Sequence, residues 1–152
     1  MLKVVFDYPP NINEIRKFFN IRDNAVFCWG GTIYNPKGVS IDSALMAHEQ
    51  KHSDQQSSYG TDKLFNIIMP QHRIKDWWHR YLRDKAFRLS QELPAYQIQY
   101  KEYKKIIKDK NKLFEVLRQL AIDLSGETYG KIIDFNQAME AIKNKEEYEF
   151  RV

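Results

Sequence analysis

Short apolar runs open this chain, and helically spaced apolar positions fill the rest. Leu2 to Phe6 is a β-branched and aromatic run closed by Pro9-Pro10, and it reads as a strand. Asn11 to Glu14 supplies cap residues for a short helix through Phe18 and Phe19, which polar Asn20 to Asn24 ends. Ala25 to Trp29 and Thr32 to Tyr34 flank Gly30-Gly31, a two-residue turn signal that predicts a β-hairpin. Asn35-Pro36-Lys37-Gly38 makes a second turn.

Beyond it the spacing becomes helical. Ser40 to Ser43 offers caps for a helix from about Asp42 to Gln56, stopped by Ser57 to Gly60. On that helix Ala44, Leu45, His48, His52 and Gln55 share one stripe, so the histidines continue an apolar, core-facing surface. Lys63 to Met69 reads as a short helix or a packed loop closed by Pro70. From Lys75 the pattern is strongly helical, with Trp77, Trp78, Tyr81, Leu82, Phe87 and Leu89 forming a bulky core surface. Pro94 is tolerated in a first turn but not in a helix interior. The expectation is therefore a break near Leu89 to Glu92 and a new helix through about Lys108. Leu113 to Leu124 continues as helix, Ser125-Gly126 and Gly130 mark a loop, and Asp134 to Gln137 resembles a capping box for a last helix to about Lys143. The tail from Lys145 is charged and without clear pattern. The whole predicts a mostly helical α+β fold, a small N-terminal antiparallel hairpin sheet followed by a helical core, in one domain spanning residues 1–152.

Composition narrows the function. Apolar content of 43% and aromatic content of 14% describe a folded globule rather than a disordered chain. The net charge of +4 is modest, and the lysines from Lys101 to Lys112 interleave with Glu102 and Asp109, as on a solvated helix face. That pattern does not favour a nucleic-acid partner. A single cysteine, Cys28, excludes an intramolecular disulfide and a cysteine-rich zinc knuckle, and its apolar neighbours make it a buried thiol. The N-terminus lacks a signal-peptide pattern and no apolar run reaches transmembrane length, so the expected location is the cytoplasm, with no membrane partner.

The candidate chemistry lies in His48-Glu49-Gln50-Lys51-His52. Helical residues four apart stand one above the other, so two imidazoles can face a single ion. Glu49 stands about 100 degrees round the helix, beside such an ion, where a general base for a metal-activated water belongs. A third ligand is needed, because zinc sites open to water have three protein ligands. His72 and His79 are candidates, but Glu92 is the better one. It is flanked by apolar Leu93 and small Ala95, where a carboxylate is costly to bury without a cation.

His48-Glu49-x-x-His52 followed by Glu92-x-x-Ala95-Tyr96 resembles the gluzincin class of zinc metallopeptidases. More narrowly, the chain resembles small metallopeptidase-like proteins of phage and bacterial genomes. The likeness is carried by Trp29 to Pro36, the motif extended to Gln56, Trp77-Trp78 with Tyr81-Leu82, Phe87-Arg88 through Gln97, and Leu124-Ser125 with Tyr129-Gly130 and Ala138. The gap between His52 and Glu92 is longer than in better-known gluzincins. The resemblance implies a Zn2+ ion on His48, His52 and Glu92, Glu49 as general base, a polypeptide substrate and, for a phage-encoded protein, phage or virion partners and a place in the host cytoplasm or virion. An oxyanion donor would come from Tyr34, Tyr96, Tyr129 or His72, and the hairpin edge would receive an extended substrate as an added strand. The competing reading is a non-catalytic, zinc-stabilised phage structural or interaction protein.

Overall fold

The computed structural model describes residues 1–60 and 70–144. The segment expected as a short helix or loop at 63–69 and the tail from 145 lie outside the described residues. Three short strands, β1 (Lys3–Val5), β2 (Phe27–Trp29) and β3 (Thr32–Tyr34), form one sheet in the order β1-β3-β2. The hairpin is as expected, with Cys28 opposite Ile33. The sheet as a whole is mixed rather than antiparallel, because β1 joins β3 in parallel, Val4 beside Ile33. Ile33 is completely buried under this small sheet. Gly30 turns the hairpin at φ +58, a left-handed conformation that favours glycine, and an added Cβ there would also push aside the Ile74 Cδ1 methyl at 2.8 Å.

Helix α1 (Ile12–Phe18) follows Asn11, whose side chain makes no capping bond. Helix α2 (Ser43–Ser58) carries the His-Glu-x-x-His motif, and Asp42 caps it by accepting from the Leu45 N–H at 2.8 Å. Helices α3 (Pro70–Arg83) and α4 (Lys85–Ile106) follow. The break expected near Leu89 to Glu92 falls instead at Asp84, whose carboxylate caps α4 through the Phe87 N–H at 2.9 Å. Pro94 therefore sits inside α4. It has no N–H for the Ser90 carbonyl and its ring crowds the preceding turn. In that turn the Gln91 carbonyl accepts a hydrogen bond from the Gln55 side chain at 2.9 Å. Helix α5 (Lys110–Ser125) starts at an Asp109 cap, a single 3-10 turn covers Glu127–Tyr129, and α6 (Phe135–Lys143) begins with the expected capping box at Asp134.

Two apolar clusters result. One joins α4, α5 and α6 through Leu93, Tyr100, Leu117, Leu120, Leu124 and Ile142. The other joins the sheet, α1, α3 and the start of α4 through Ile15, Phe27, Trp77, Trp78, Leu82 and Phe87. Helix α2 packs mainly on α4, with Ala44 and Ala95 both fully buried. Buried Arg88 ties the pieces together. Its guanidinium donates to the carbonyls of Tyr81 (2.9 Å), Leu82 (2.8 Å) and Tyr129 (2.8 Å), joining the end of α3, the start of α4 and the 3-10 turn. The lysines at 101, 104, 105, 108, 110 and 112 are exposed, and Lys105 pairs with Glu102, as on a solvated face. No helix among the described residues is long and apolar enough to cross a membrane.

Candidate metal centre

The buried face of α2 is unusual for a core helix. It presents Ala44, His48, Glu49, His52 and Gln56, of which only alanine is apolar. Burying so many polar side chains costs stability unless each finds a partner. The His-Glu-x-x-His spacing delivers His48 and His52 as expected, with their Nε2 atoms 3.0 Å apart. Glu92, from the middle of α4, closes a triangle. Its Oε2 lies 3.6 Å from His48 Nε2 and its Oε1 lies 3.4 Å from His52 Nε2. All three side chains are buried. With one donor atom taken from each residue, the three lie within 4.8 Å of one another, close enough to converge on a single ion.

The far sides of the ligands are held. Gln55 is oriented by its own donor bond to the Gln91 carbonyl, so its Oε1 faces His52 Nδ1 at 2.9 Å. His48 Nδ1 meets Gln99 Oε1 at 2.9 Å. A carbonyl oxygen only accepts, so both Nδ1 atoms carry hydrogen and both Nε2 lone pairs are directed at the centre. Trp77 Nε1 donates to Gln91 Oε1 at 2.9 Å, and the Trp77 ring packs edge-on against His52. Tyr81 donates to Glu92 Oε1, while Glu92 Oε2 is buried with no hydrogen-bond partner. Two converging nitrogen lone pairs and an orphaned carboxylate oxygen are the donor set a divalent cation fits.

Without an ion, a proton takes that place. Burial alone would lower the His52 pKa, but the adjacent Glu92 carboxylate outweighs it and raises the value to about 9. Glu92 is held well below the ordinary carboxylate range against the opposing effect of burial, by His52 first and by the adjacent His48. The signs follow. His52's contribution to stability is complete below its ordinary 6.5 and is lost as pH rises through about 9. Glu92's contribution is present above its ordinary 4.5 and is lost as pH falls below that. The metal-free protein should therefore lose thermal stability between pH 6.5 and 9. The metal-loaded protein should not, because cation binding strengthens as the imidazoles deprotonate. Calorimetry of both forms across that range checks this, and parallel curves would contradict it.

One cavity of about 330 Å³ opens onto the cluster. Glu49 lines it and is buried, and among the described residues its oxygens fall outside the three-donor group. Burial raises the Glu49 pKa; His48 and His52 oppose the shift and Glu92 adds to it. A carboxylate moved toward neutrality beside a metal position suits a general base. Tyr96 and Tyr129 also line the cavity, with their hydroxyls 3.0 Å apart and the Tyr96 ring edge-on to His48. Of the other expected oxyanion donors, Tyr34 packs in the sheet-side cluster, and His72 lies on the first turn of α3 and is not among the cavity's lining residues. His79 is exposed. Cys28 is buried as expected, its thiol pKa pushed up by burial and by Glu49.

The hairpin edge needs a correction. Buried Gln56 already pairs with the outer edge of β2, accepting from the Gly30 N–H at 2.7 Å and donating to the Cys28 carbonyl at 2.9 Å. Trp78 Nε1 donates to the same carbonyl at 3.2 Å. Asn24 to Cys28 run along the cavity. The sequence pattern marks Tyr81 as packing and gives no sign of its bond to Glu92, whereas Arg88, one turn before Glu92, and Gln99, two turns after, share its face of α4.

The third-ligand assignment has a direct check. Glu92→Ala should reduce zinc occupancy at least tenfold, whereas His79→Ala should leave it unchanged, measured by elemental analysis after gel filtration. Equal occupancy in the two variants would remove Glu92 from the site. Comparison with models of known protein families, with curated proteins and with solved structures found no match.

Proposed function

We propose that this protein is a zinc-dependent peptidase. One observation carries the reading: a buried group of His48, His52 and Glu92 lines one cavity together with Glu49. Among the described residues no other histidine, cysteine, aspartate or glutamate joins the three donors, so an ion held by them would keep room for a water. When bound, zinc would acidify a water and polarise a carbonyl oxygen. His48 and His52 would hold the ion through their Nε2 atoms, and the Glu92 carboxylate would neutralise half of its charge. The Glu49 carboxylate takes the proton of the attacking water and passes it to the leaving amine nitrogen. The Tyr96 hydroxyl, which shares a hydrogen bond with that of Tyr129 and lines the same cavity, would donate to the developing oxyanion. The test is hydrolysis of an unfolded polypeptide by zinc-loaded protein, absent from zinc-loaded Glu49→Gln.

The burial of all three ligands favours a second reading, a zinc-stabilised structural or interaction protein. Chelation separates the two. Loss of fold on zinc removal, with no turnover by the holo protein on any polypeptide, favours the structural role.

A further inference from the structure

The two oxygens of Glu92 are not equivalent. Oε1 accepts the Tyr81 hydroxyl, and Oε2 is buried without a hydrogen-bond partner. A carboxylate offered to a cation with both oxygens free can close on it with two bonds and fill the position that a water or substrate needs. Here one oxygen is already engaged.

Tyr81 is itself tightly placed. Its ring stacks on Trp77 at 4.8 Å between centroids with an interplanar angle of 18°, and its edge meets Trp78. Its backbone carbonyl accepts from Arg88. Trp77 in turn is tied to Gln91, the neighbour of Glu92 in sequence. The hydroxyl therefore comes from α3, locked by packing and by two anchors on α4, onto one chosen oxygen of a residue of α4.

We infer that Tyr81 is a positioning residue that reserves Glu92 Oε1 and so makes Glu92 a one-oxygen ligand through Oε2. This rests on the metal reading above. It assigns to Tyr81 a task that no packing role requires: preserving an open position on the ion.

The experiment measures zinc affinity by chelator competition in wild type, Tyr81→Phe, Glu92→Ala and the double variant. Phenylalanine keeps the stack on Trp77 and removes only the hydroxyl. Tyr81→Phe frees Oε1 to close on the ion beside Oε2, so zinc affinity should change roughly ten- to a hundredfold and zinc bound to that variant should show both Glu92 oxygens at bonding distance. In the Glu92→Ala background the same change should have no further effect, since its target is gone. Equal effects in both backgrounds would show general structural damage and overturn the inference, as would unchanged affinity in Tyr81→Phe. A crystal structure of the zinc-loaded wild type reads the same point even if Tyr81→Phe does not fold. Oε2 alone at bonding distance, with Oε1 still on Tyr81, is expected; both oxygens bonded to zinc would overturn the inference. Wild-type protein that takes up no zinc would instead overturn the metal reading itself.

Discussion

Glu49→Gln should abolish measurable peptide hydrolysis while zinc content stays at the wild-type level. The two side chains have nearly the same shape, so the packing of α2 is retained and what disappears is the proton acceptor. General bases contribute on the order of a hundred- to ten-thousandfold to rate, so any activity that remains should lie below about one per cent. The substitution also removes a buried charge. Glu49 sits in a site that raises its pKa by burial and by the nearby Glu92 carboxylate, so metal-free Glu49→Gln should be at least as stable as wild type. A variant that loses zinc together with activity would make Glu49 a structural member of the site and end its assignment as base.

Arg88→Met should destabilise the fold by about 3–5 kcal/mol, the largest effect expected outside the proposed metal ligands. Methionine fills much of the volume but leaves the carbonyls of Tyr81, Leu82 and Tyr129 without the donors they now have. Those carbonyls lie at the end of α3 and on the turn that carries Tyr129, so the loss is felt at the cavity as well as in the core. Burial lowers the Arg88 pKa, and the neighbouring Tyr81 and Glu92 oppose the shift. Arg88→Lys should recover only part of the stability, since an ammonium cannot reproduce the planar fork. Denaturant midpoints at unchanged slope check both variants. A loss within about 1 kcal/mol for Arg88→Met, in the range of ordinary surface changes, would contradict this account.

Much of the site was legible because its chemistry is local. Asp42 as a cap and the i, i+4 spacing place His48 and His52 on one buried face, and both expectations hold. Glu92 stood out as a charge among apolar neighbours, and the fold brings it within 3.6 Å of His48 and 3.4 Å of His52. Features that depend on distant partners were not legible. The break between α3 and α4 was misplaced because Pro94 suggested a helix start, whereas Asp84 caps α4 and Gln55, from another helix, bonds to a carbonyl in the turn that Pro94 crowds. The parallel pairing of β1 is invisible locally, since a short β-branched run fits either direction of partner. Gln55 lies on the expected inward stripe, but the partners of Gln55, Gln56 and Gln99, two imidazoles and a strand edge, come from the fold alone. Tyr81 and Trp77 were read as packing residues. They do pack, and their polar ends also hold Glu92 and its neighbour Gln91.

The most direct test is the metal content of the purified protein, never exposed to chelator and equilibrated with zinc. The expected result is about one zinc per wild-type chain, falling to near zero in a His48→Ala, His52→Ala, Glu92→Ala triple variant that keeps its helical circular dichroism. Wild-type protein without bound zinc, or a triple variant that retains it, would contradict the site on which the proposed function depends.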